Sequence, residues 1–91
     1  MARKRTRIDI IGDMLLSIQN KGGRIKPTHL MYGSNLSHSQ MNSYLEELVE
    51  KDFITKTRTK EHNEYIILTE TGSKFLEKLN EMREFEKTFG L

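Results

Sequence analysis

Apolar residues recur at helical spacing from the start of the chain. Ile8, Ile11, Met14, Leu15 and Ile18 place one stripe along a helix from about Thr6 to Asn20. Thr6 with Asp9 three positions on makes a capping arrangement, with the acid near the positive helix end. Lys21-Gly22-Gly23 stops this helix, because glycine takes the left-handed conformation a helix C-terminus needs. Lys26-Pro27-Thr28 opens a shorter helix to about Tyr32, proline being tolerated in a first turn. Leu30 and Met31 face inward there, Tyr32 is expected at the core edge, and Gly33-Ser34-Asn35 breaks the helix. The third helix is the best specified. Ser37 and Gln40 make a capping box, and Leu36 before the cap can pack on Met41 as a hydrophobic staple. Met41, Tyr44, Leu45, Leu48 and Val49 form its expected buried stripe.

After Lys51-Asp52 the period changes. Phe53 to Arg58 is rich in β-branched residues and Tyr65-Ile66-Ile67-Leu68 is a second β-prone run, with a polar loop between them. Thr69 then caps a last helix from Glu70 to about Phe89, with Phe75, Leu76, Leu79, Met82, Phe85 and Phe89 apolar. The predicted class is α+β and mostly helical, in the order α-α-α-β-β-α. Two short helices around a Gly-containing turn are a helix-turn-helix, and the hairpin adds a two-stranded wing. Residues 1–76 are expected to form the winged domain with a basic arm, and residues 70–91 a helix left over for a dimer contact. Met14, Met31, Met41 and Met82 fall on apolar stripes and read as core filler.

Composition narrows the chemistry. The 91 residues suit one small domain, which hides roughly 60–65% of its unfolded surface on folding. The absence of cysteine excludes disulfides and thiolate zinc sites. His29, His38 and His62 sit in unrelated local contexts, so no metal or other cofactor is expected. No apolar run is long enough for a membrane span or signal peptide, so a soluble, cytoplasmic chain is expected. No nucleophile–base pair, phosphate-cradling glycine loop or metalloprotease motif is present, so no enzyme is expected. Residues 1–60 carry 11 Lys and Arg against 6 acids, giving +5, whereas residues 61–91 carry 4 against 7, giving −3. That asymmetry suggests a basic face for a polyanion.

The candidate phosphate contacts are Arg3, Lys4, Arg5 and Arg7 in the arm, Lys26 and the Thr28 hydroxyl at the second helix, and Lys56, Arg58 and Lys60 alternating along the wing. The third helix offers Ser37, His38, Ser39, Asn42 and Ser43 before turning acidic at Glu46, Glu47 and Glu50. Phosphates take Lys and Arg, while base edges take Asn, Gln, Ser and His in a groove that admits a helix. Ser37 and Gln40 serve the cap first.

The run Thr28-His29-Leu30-Met31-Tyr32-Gly33-Ser34-Asn35-Leu36-Ser37 resembles the T-x-(I/L)-M-Y-x-x-N-L-S motif of archaeal winged-helix proteins. Ile10-Ile11, Tyr44-Leu45-x-x-Leu48, Phe53-Ile54 and Leu68-Thr69-x-x-Gly72-x-x-Phe75-Leu76 are similar to the rest of that pattern, over about residues 3–80. The resemblance implies a double-stranded DNA ligand, a recognition helix beginning at Ser37–Ser43, and a role in transcription regulation or, nucleoid-associated, in chromosome organisation. It also implies a homodimer through the C-terminal helix, for which Leu79, Met82, Phe85 and Phe89 are the candidates. No small-molecule effector is indicated. The competing expectation is a winged helix used as a protein–protein adaptor, which the acidic half of the third helix favours.

Overall fold

Each expected N-cap closes its helix. The computed structural model describes residues 4–91, so the candidate Arg3 lies outside the described residues. The order is α1 (Arg7–Asn20), β1 (Arg24–Ile25), α2 (Pro27–Gly33), α3 (His38–Glu50), β2 (Ile54–Arg58), β3 (Glu64–Leu68) and α4 (Glu70–Thr88). Thr6 Oγ1 accepts from the Asp9 amide at 3.1 Å while Asp9 Oδ2 accepts from the Thr6 amide at 2.9 Å. Ser37 and Gln40 make the same reciprocal pair at 3.1 and 3.0 Å. Thr69 Oγ1 accepts from the Gly72 amide at 2.9 Å. These bonds satisfy amides that a helix start leaves unpaired.

The sheet has three antiparallel strands in the order β1-β3-β2, not the two expected. β1 pairs Arg24 with Ile67 and Ile25 with Ile66, and the Leu68 amide donates to the Gly23 carbonyl at 2.9 Å. Two residues are too few for an alternating pattern to be legible, yet Ile25 is buried and Arg24 lies over the Tyr65 ring, 4.4 Å from its centroid. In β2–β3, Ile54 opposes Leu68, Lys56 opposes Ile66 and Arg58 opposes Glu64. Opposed residues share a face, so Lys56 and Arg58 continue the face whose root, Ile54 and Ile66, enters the core.

The core joins Met14, Leu15 and Ile18 of α1 to Leu30, Met41, Leu45, Leu48 and Leu76. Burying one such side chain fully contributes about 1.5–3 kcal/mol before entropy is counted. Leu36 and Met41 are both buried, as the staple requires. Phe75 stacks on Phe53 with ring centroids 4.6 Å apart.

Five apolar assignments differ. Tyr32 is 74% exposed: two positions beyond Leu30, a helix has turned about 200° away from the buried side. Val49 is 43% exposed and lines a cleft between α3 and β2. Ile8 and Met82, at 40% and 50%, both line a groove between α1 and α4. Met82 is therefore no core filler. Leu79 moves the opposite way: it is 5% exposed, tucked against α1, where a Cβ on Gly12 would lie 2.7 Å from Leu79 Cδ2. An ion pair from Arg83 Nη2 to Asp9 Oδ1 at 3.2 Å extends the same helix contact. Leu79 thus belongs to the monomer's own core, leaving Met82, Phe85 and Phe89 as the exposed stripe.

Candidate nucleic-acid interface

The first two turns of α3 hold the candidate site. Its buried positions, Met41, Leu45 and Leu48, press one side onto the core, which turns His38, Ser39, Asn42 and Ser43 outward, all exposed. The Asn42 amide lies 3.2 Å from His38 Nδ1, so the two side chains are aligned along the helix one turn apart. Ser37 is exposed, but its hydroxyl is engaged by the Gln40 amide. Small uncharged side chains on this surface let the helix backbone approach a flat or grooved partner closely.

The wing supplies positive charge beside the second half of α3. Lys56 lines the cleft of about 530 Å³ between α3 and β2, facing Glu46 and Val49, and Arg58 lies two residues further along the same strand face. The strand ends at Arg58, so Lys60 sits in the turn and does not continue the alternation. That turn is closed by the Thr59 amide donating to Asn63 O and the His62 amide donating to Thr59 O, both at 2.9 Å. Lys26 is the N-cap residue of α2 and Thr28 stands in its first turn, both exposed. Thr28 and Tyr32 are four apart and share one face of α2, placing a phenol beside the basic and hydroxyl groups. Sequence reasoning missed Tyr32, although its offset from Leu30 carried the signal.

Two arm residues are not free as expected. Arg5 Nη1 bonds Asp13 Oδ2 at 3.1 Å and the Ser34 carbonyl at 2.6 Å, and Nη2 bonds the Asn35 carbonyl at 2.9 Å. The expected flexible arm is therefore anchored at Arg5, because its guanidinium finds three acceptors inside the fold. Arg7, the first residue of α1, pairs with Glu47 of α3. That pairing compensates one acid of the second half of α3, while Glu46 and Glu50 stay exposed. Lys4 is exposed.

A family model described as winged helix-turn-helix matches residues 4–87. An uncharacterised protein of Methanocaldococcus jannaschii is 34% identical over 79 residues, which is 87% of this chain and 34% of that protein. The chain thus spans about a third of that relative's length. Among solved structures, a DNA-binding protein from Sulfolobus solfataricus superposes with a TM-score of 0.73 at 19% identity, covering 94% of this chain and 90% of that one. A winged-helix DNA-binding protein from STIV gives 0.75 at 21% identity, covering 93% and 95%. The YusO protein from Bacillus subtilis gives 0.81 at 18% identity, covering 90% and 59%. These likenesses establish the three-dimensional arrangement, and the sequence match establishes kinship: the chain belongs to the winged helix-turn-helix family.

Proposed function

We propose that this chain is a non-enzymatic, nucleoid-associated protein that binds double-stranded DNA as a homodimer, in transcription regulation or chromosome organisation. The observation that carries this reading is an exposed, uncharged polar start of α3 together with a basic hairpin whose Lys56 lines a cleft with Glu46 of α3 and whose Arg58 shares the strand face of Lys56. The solved winged-helix proteins from Sulfolobus solfataricus and STIV are DNA-binding, which supports it. His38, Ser39, Asn42 and Ser43 face the major groove. Lys4, Arg58 and Lys60 meet flanking phosphates, with Lys26, Thr28 and Tyr32 on the backbone near α2. None of the helices among the described residues is long and apolar enough to cross a membrane.

Fluorescence anisotropy on a random-sequence duplex at several salt concentrations tests the reading. Log affinity should fall against log salt with a slope of about −0.9 per neutralised phosphate, and Arg58→Ala should remove about one such increment. A flat dependence, or no binding at low salt, replaces this reading with the adaptor, for which the exposed Glu46 and Glu50 would be the contact charges.

The homodimer reading rests on α4. Met82, Phe85 and Phe89 are exposed, and a groove of about 220 Å³ lined by Ile8, Phe75, Lys78, Leu79 and Met82 runs into that stripe. A two-fold axis at Met82 sets antiparallel helices so that Met82 meets Met82 of the second copy and the half-buried Phe75 meets Phe89. The same register opposes Lys78 to Glu86, so the two charges that interrupt the stripe pair with each other. Lys78→Glu should weaken self-association in sedimentation, and adding Glu86→Lys should restore it. A full chain that sediments as a monomer at high micromolar concentration overturns the dimer.

A further inference from the structure

The turn between α2 and α3 is held from outside by a residue far away in sequence. Its own bonds are the Asn35 amide donating to Tyr32 O at 3.2 Å and the Leu36 amide donating to Met31 O at 3.1 Å. Asn35 adopts a left-handed conformation, φ +54°, at the position just past the C-cap of α2, where asparagine is accommodated. Ser34 is 1% exposed, the one buried polar residue in the described core, so the turn sits against the protein interior. Carbonyls at a helix C-terminus carry partial negative charge, and α2 has no basic residue in its last turn. Arg5 supplies it. One guanidinium bonds the Ser34 and Asn35 carbonyls together, and Asp13 of α1 holds that guanidinium in place.

We propose that Arg5 is a positioning residue for α3, clamping the turn that sets the pose of the recognition helix, with Asp13 as its anchor. The α3 cap, Ser37, begins two residues after the clamped Asn35, so slack in the turn passes directly to His38, Ser39 and Asn42. The inference rests on the DNA-binding reading for its consequence, but not for its mechanism. It divides the arm into two parts: Lys4, exposed, as a phosphate contact, and Arg5 as a strut. Lysine cannot replace Arg5, because one ammonium lacks the second nitrogen that reaches Asn35.

Three variants, Lys4→Ala, Arg5→Ala and Asp13→Ala, distinguish a strut from a charge. As plain charges, Arg5→Ala lowers duplex affinity and the salt slope together, whereas Asp13→Ala raises affinity by removing an acid near a polyanion. As a clamp, Asp13→Ala lowers affinity about fivefold despite gaining positive net charge. Arg5→Ala then lowers affinity by at least as much with an unchanged slope, whereas Lys4→Ala reduces the slope by about 0.9. Hydrogen exchange of the Asn35 and Leu36 amides in the free protein supplies a reading without DNA. Both clamp variants should speed that exchange while leaving the core amides of α1 protected. Unchanged exchange at those two amides, a tighter-binding Asp13→Ala, or a slope loss in Arg5→Ala each overturns the clamp. Should the wild-type chain bind no duplex at all, the DNA reading falls and the exchange result alone decides whether Arg5 holds the turn.

Discussion

Replacing Gly72 by alanine should destabilise the fold, although glycine-to-alanine within a helix ordinarily gains about 1 kcal/mol. Gly72 stands in the first turn of α4, where a Cβ would lie 2.1 Å from the Phe53 carbonyl oxygen, 3.0 Å from its carbon and 2.9 Å from Leu68 Cδ1. The carbonyl cannot simply rotate away. It accepts from the Thr69 amide at 3.1 Å, and Thr69 Oγ1 donates to the adjacent Asp52 carbonyl at 2.6 Å. Relieving the overlap means either lifting α4 off the loop before β2 or breaking that bond. Overpacking costs about 1–3 kcal/mol and the lost hydrogen bond about 1 kcal/mol more. After the propensity gain, a net loss of about 1–3 kcal/mol remains, which for a domain this size lowers Tm by about 4–24 °C. Gly12→Ala is the control. Its Cβ meets the ends of flexible side chains, Leu79 Cδ2 at 2.7 Å and Arg83 Nη2 at 3.2 Å, so its net effect should stay within about 1 kcal/mol. Thermal melts of both variants by circular dichroism check the argument. Equal Tm values for Gly72→Ala and the wild type, or equal losses for both variants, would refute the rigid-carbonyl account.

The remaining predictions concern reading and assembly. Asn42→Ala should change preference among duplex sequences in a competition binding selection, since asparagine bonds adenine bidentately and phosphate contacts carry no sequence information; an equal loss on every sequence removes its base-reading role. Leu79→Ala should cost about 2–5 kcal/mol in urea unfolding at concentrations where the chain is dilute, because that side chain fills the monomer core. Phe89→Ala should leave dilute-solution unfolding unchanged to within about 0.5 kcal/mol and lower sedimentation mass at high concentration instead. A reversal of these two phenotypes would return Leu79 to the interface and Phe89 to the core.

What could be read from the sequence was whatever is encoded locally. Thr6-Asp9, Ser37-Gln40 and Thr69 mark helix starts because the capping partners are three residues apart, and all three caps form. The apolar stripe of α3 is legible for Met41, Leu45 and Leu48, which look straight into the core. It fails at Val49, where burial depends on how closely β2 approaches, a quantity no helical period contains. β1 escaped because its two residues gain their strand identity from pairing with Ile66 and Ile67, more than forty positions away. Leu79 was legible as apolar but not as covered. Whether α4 lies on α1 or stands free is settled by contacts between distant residues, Leu79 against Gly12 and Arg83 with Asp9, which the apolar pattern of α4 alone does not contain. The basic arm failed for a related reason: Arg5 and Arg7 are cationic in any reading, but only the fold brings the acceptors around Ser34 and Glu47 within reach.

The close seating of α4 on α1 has a consequence for how such a protein would measure distance. With Leu79 sunk against Gly12 and Arg83 tied to Asp9, the helix that would meet a second copy packs directly on the body that carries α3. In the proposed dimer, the separation and tilt of the two recognition helices are then fixed by the crossing point at Met82, as on a ruler with a single engraved interval. Operators whose half-sites are spaced differently could not be reached by flexing. They would demand a new crossing point along the stripe of Met82, Phe85 and Phe89.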